Sequence, residues 1–161
     1  MPWTAFPDAD DTIHDWLKSI YTAYRNSLVD PSVLPVIDDI DWDTYWAGFH
    51  SMSFMVYEET TQHQNLGLGV KTIDFIGMQV IRVTYRFINA GKPPELKRMR
   101  EFLTRKLQEN ISPLPSALST AGIVQMVPVE SRMFMERQET GQQDFWTLEV
   151  RVQTKVLNSI V

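Results

Sequence analysis

Cysteine is absent from the 161 residues, which removes disulfides, thiolate metal sites and a cysteine nucleophile together and fits folding in a reducing cytoplasm. Histidine is scarce. His14, His50 and His63 fall in three different predicted segments and show no paired metal-ligand spacing. No apolar run approaches the ~20 residues that span a bilayer. The opening Met1-Pro2-Trp3-Thr4-Ala5-Phe6-Pro7 lacks the basic and apolar regions of a signal peptide. A soluble, unprocessed chain with no membrane partner is expected. Gly67-x-Gly69 has Thr72 where a dinucleotide fingerprint needs its third glycine, and it precedes a predicted strand rather than a helix. Neither a Gly-x-Ser-x-Gly elbow nor a Walker sequence occurs, so hydrolysis has no motif to rest on. No cofactor, metal or catalytic residue is expected, and the chain reads as a non-enzyme.

Basic residues are nearly missing from the first 43 positions, where Lys18 and Arg25 face nine aspartates. The net charge is −5, so the remainder carries a small positive excess. Such asymmetry suits either a solvated acidic surface or head-to-tail association in which an acidic end meets a basic one. It disfavours tight nonspecific binding to nucleic acid, which needs a concentrated basic face. Asp38, Asp39, Asp41 and Asp43 lack the glycine and terminal glutamate of an EF-hand loop, and a solvated acidic loop explains them.

What remains is ample for one core. With 43% apolar residues, positions 1–161 form a single predicted domain containing an acidic extended connector at about 29–44. Ile13, Trp16, Leu17, Ile20, Tyr21, Tyr24 and Leu28 recur at helical spacing, with Asp10 or Asp11 placed to cap the first turn. Residues 45–59 read mostly as a strand, with Ala47-Gly48 able to kink it, 62–69 as a loop, and 72–89 as a second strand. Pro94 opens a second helix running to Asn110, with Leu96, Met99, Phe102, Leu103 and Leu107 as its buried stripe. The C-terminal third then offers two long runs, Ile123–Arg137 and Phe145–Leu157, about the polar turn 139–143. In the second run Trp146, Leu148, Val150, Val152 and Val156 share one face, opposite Thr147, Glu149, Arg151, Gln153 and Lys155. The predicted class is α+β: a mainly antiparallel sheet with two principal helices on one face, closed by a C-terminal β-hairpin. Arg82, Thr84 and Arg86 would then project from the other face toward solvent, a neighbouring subunit or a channel, with Arg132 and Arg151 as possible cross-strand neighbours.

The strand Met78-Gln79-Val80-Ile81-Arg82-Val83-Thr84-Tyr85-Arg86-Phe87, the proline-started helix 95–110 and the closing hairpin with Phe145-Trp146-Thr147-Leu148-Glu149-Val150-Arg151-Val152 resemble tail-terminator (tail-completion) proteins of long-tailed bacteriophages, or related neck proteins. The resemblance spans most of residues 10–158; the longer segment 38–65 departs from a minimal version of the family. It implies a homo-oligomeric ring, usually a hexamer, that caps the tail tube, stops its polymerisation and joins it to the neck or head. Implied partners are the tail-tube protein and a neck or head-completion protein, with DNA only in passage. The implied location is the virion tail–neck region, after assembly in the host cytoplasm. Contacts are assigned to Asp38, Asp39, Asp41, Asp43, Arg82, Arg86, Glu149 and Arg151. The alternative is a small-molecule binding protein or isomerase-like enzyme with a cone-shaped fold. Its pocket would be lined by Trp16, Tyr21, Tyr24, Trp46, His50 and Phe54, with His50 or Asp15 transferring a proton.

Overall fold

Helical spacing of apolar side chains builds α1, Ala9–Ser27, which buries Ile13, Trp16, Leu17, Tyr21 and Tyr24 along one stripe. The computed structural model describes residues 8–65, 72–86, 92–137 and 144–159. Asp8, not Asp10 or Asp11, holds the N-cap position, and it makes no side-chain cap bond. Asp10 and Asp11 lie inside the first turn, where the helix dipole favours negative charge.

The expected extended connector is instead folded down. Two 3₁₀ turns, Pro31–Val33 and Ile37–Asp39, occupy it. α1 fastens it: the Tyr21 hydroxyl donates to Pro35 O at 2.6 Å and Arg25 Nε to Leu34 O at 2.8 Å, with Leu34 buried beneath. It leads into β1, Ile40–Trp42, which pairs with β2 in parallel rather than antiparallel fashion.

β2 runs from Met52 to Asn65, so residues 45–51 do not belong to the strand and 62–65 do. Between β1 and β2 the chain turns at Asp43, whose φ of 62° lies in the left-handed region, and crosses the sheet as a strap. Ala47 N donates to Thr84 Oγ1 at 3.0 Å, and Arg86 N donates to Ser51 O at 2.8 Å. β3 spans Thr72–Arg86, and the predicted positions 87–89 fall outside the described residues, as do Gly67, Gly69 and the turn 139–143.

α2, Pro94–Glu109, buries all five residues of its expected stripe. A short α3, Ser116–Ser119, precedes β4, Ile123–Arg137, and β5, Asp144–Ser159. The strand order is β1-β2-β3-β5-β4, antiparallel except for β1–β2. α1 packs chiefly on β2 and α2 on β4 and β5, so both principal helices cover one face. That face is dry. Phe54, Ile81, Val83, Leu148, Val150 and Val152 meet the helices there, and Phe102 sits 5.7 Å from the Tyr21 ring and 4.9 Å from Tyr24.

Candidate functional site

On the opposite face the strand alternation brings Arg82 from β3 and Glu149 from β5 side by side as register partners, with Arg132 of β4 opposite Glu149 in turn. Arg82 Nη2 donates to both oxygens of Glu136, at 3.1 and 2.8 Å, and Nη1 stands 4.0 Å from Glu149. Glu149 also accepts from Arg132 at 2.9 Å. Arg151 extends the ladder outward to Glu59 at 3.0 Å and Glu130 at 3.1 Å. Burial would lower the Arg151 guanidinium, yet its hydrogen bond to Glu59 and the surrounding carboxylates outweigh that and hold its pKa above the ordinary value.

The strap roofs the inner end of this ladder. The Tyr45 ring lies 3.9 Å from the Arg82 guanidinium carbon and the Trp46 ring 5.0 Å, while Trp46 also packs on Phe145 at 4.8 Å. Arg82 and Glu149 are consequently 2% and 4% exposed. The expectation that Arg82 and Thr84 face solvent, a neighbour or a channel is corrected here, because the chain's own strap occupies that space. Arg86 is half-buried, with Nη2 donating to His50 O at 3.1 Å, and Arg151 is half-buried among its three carboxylates. Arg132 does join the group, as the register requires.

Asp41 anchors the strap. Its Oδ2 accepts from Gly48 N and His50 N, each at 3.0 Å, and its Oδ1 lies 2.8 Å from His50 Nδ1. Burial would raise this carboxyl, but the His50 and Gly48 amides and the His50 ring prevail and hold it below its ordinary value. Asp38, Asp39 and Asp43 are exposed. No cluster of three metal-ligating side chains occurs among the described residues.

The aromatic set of the alternative pocket does not converge. Trp16, Tyr21, Tyr24 and Phe54 are packed in the core on the helix face, while Trp46 lies on the other face and His50 at the strap end. A cavity of about 450 Å³ does adjoin His50, lined in part by Ser32, Asp39, Phe49 and Glu95. His14 is buried against Trp42 and Phe54, and the His63 side chain lies outside the described residues.

The two sheet edges are unlike. At one, β4 exposes Val124, Val129 and Met135, with bulges at Val124 and Val129. At the other, Val36 before β1 and Phe49 in the strap are exposed, Phe49 to 87%. Strand periodicity does not flag these positions, because bulges break the alternation at Val124 and Val129, and Val36 and Phe49 lie outside the strands. No family model matches the chain, and no curated protein matches it.

Proposed function

We propose that this chain is a structural, non-enzymatic subunit of the tail-terminator type. It forms a ring, taken as a hexamer, that caps a phage tail tube, ends its growth and presents a surface to the neck or head. DNA passes without tight binding. The observation that carries this reading is the pair of unlike sheet edges, each with exposed apolar side chains. A contact between unlike edges is heterologous, and heterologous contacts generate rings when their rotation closes.

Charge supports the same pairing. Exposed Asp11, Asp15, Asp38, Asp39 and Asp43 accompany α1, the connector and β1 at one end of the strand order. Lys97, Arg98, Arg100 and Arg105 line exposed positions of α2, over β4 and β5 at the other end. Head-to-tail contact sets acid against base. With Arg82, Asp41 and Glu149 engaged inside the protomer, the interface is assigned instead to Val124, Val129 and Met135 on one edge and Val36, Phe49, Asp38 and Asp39 on the other.

Light-scattering mass and negative-stain images of Val129→Asp, Phe49→Asp and their mixture test the reading. Each variant alone yields monomers, whereas the mixture yields dimers, since each chain retains one good edge for the other. The wild type forms rings or caps the ends of added tail tubes. A wild-type dimer that ignores tubes, lost through one substitution and indifferent to the other, overturns it.

A further inference from the structure

One row of backbone partners ties an exposed side chain on one sheet edge to a cavity on the other. Ile40, Met52, Tyr85, Trp146 and Met135 pair in turn, so the row crosses all the strands. At its β1 end lies the cavity of about 450 Å³ beside His50, whose walls include Met52 and Tyr85 of the row and Asp39, which directly precedes Ile40. At its β4 end Met135 is 47% exposed. It projects from the same face as Met52, Tyr85 and Trp146, because directly opposed residues share a face. Arg137, two positions on, shares that face.

Knob and socket match in chemistry. Val33, Pro35, Phe49 and Met52 give the cavity apolar walls, and Asp39 and Glu95 add two carboxylates, with no lysine or arginine among the described lining residues. A thioether fills irregular apolar space and makes favourable contacts with aromatic rings such as Phe49. Arg137 adds the complementary charge. Its partner within the chain, Asp144 at 3.0 Å, forms an exposed pair of the kind that holds an arginine only weakly.

We propose that Met135 of one copy enters this cavity of a neighbouring copy, with Arg137 beside the carboxylates of Asp39 and Glu95. Neighbouring copies then stand side by side with no shift along the strands. A second copy is the occupant because knob and socket are opposite ends of one row. The rotation that closes a ring has no translation along its axis, so an axis along the strands brings the two ends to one level. This placement rests on the ring proposed above and adds which side chain meets which cavity.

The chain has no cysteine, so an introduced one reports on its own position. Ser51→Cys, an exposed wall of the cavity, is mixed with Met135→Cys and, separately, with Val124→Cys at the other end of β4. The assembled mixtures, alone or on tail tubes, are treated with a short bismaleimide. Circular dichroism melts establish that the variants fold, and light scattering follows their assembly. With Val124 roughly 35 Å along the strand from Met135, the Met135→Cys mixture should give at least about tenfold more covalent dimer than the Val124→Cys mixture. Mass spectrometry locates the link at the substituted positions. Loss of assembly in folded Met135→Cys but not in Val124→Cys supports the placement equally. Assembly without the 51–135 link overturns it while the ring stands, leaving the cavity to another partner. A stronger link to Val124→Cys overturns it by showing copies shifted along the strands. A wild type that assembles neither alone nor on tubes overturns both the placement and the ring.

Discussion

The two faces of the sheet are built on different physics. The helix face excludes water with interlocking side chains of α1, α2 and β2–β5, and its energy is spread over many small contacts. The strap face buries an arginine between two carboxylates and two aromatic rings, concentrating its energy in a few directional bonds. A dry face tolerates substitutions of similar volume, whereas a buried ion pair tolerates little once one partner is gone.

The largest effect is expected on the helix face. Phe102→Ala removes a fully buried ring that packs on Tyr21 and Tyr24 and should cost about 3–5 kcal/mol, read as a lower urea midpoint at unchanged slope. Next comes Arg82→Met, which keeps much of the volume but leaves Glu136 and Glu149 without their shared guanidinium. About 3 kcal/mol is expected, somewhat less if Arg132 and Arg151 take over Glu149. Equal tolerance of Arg82→Met and an exposed substitution would break the comparison, since the roofed cluster would then be no more than surface charge.

Periodicity made the helix face legible and hid the strap face. Ile81, Val83 and Tyr85, like Trp146 to Val156, alternate as half-buried strands do, and both helices carry unbroken stripes. Arg82 and Glu149 alternate just as regularly on the other parity, and charge at such positions reads as solvent-facing. Only the register, which no single strand encodes, reveals that each sits opposite the other. Residues 45–51 continue the parity of Met52, Phe54 and Val56, so the pattern ran straight through a change of direction. The turn at Asp43 and the amide-binding carboxylate of Asp41 decide where the strand begins. Residues 62–65 looked like a loop because they are polar on both parities. Among the described residues β1 pairs with only the first three residues of β2, so the rest of β2 has no second strand beside it there and needs no apolar alternation to hold its bonds to β3.

Asp41 links the edge of the sheet to the roof, and its titration tests whether the strap is held by charge or by packing alone. Its pKa lies below the ordinary value of 3.8 in the folded chain, so the folded chain holds that proton less tightly than the unfolded one does. The stabilisation is therefore complete above the ordinary value and is lost as pH falls through the lower, folded one. Asp41→Asn keeps an oxygen for the Gly48 and His50 amides but removes the charge. At neutral pH it should cost about 1 kcal/mol, the order of a charge-assisted bond relative to a neutral one. The wild-type and Asp41→Asn stabilities should converge below about pH 4, where the wild type loses the same charge. Urea midpoints measured from pH 2 to pH 7 follow this directly. Parallel curves across that range would mean that Trp46 and Tyr45 hold the roof by packing, with the Asp41 charge contributing nothing.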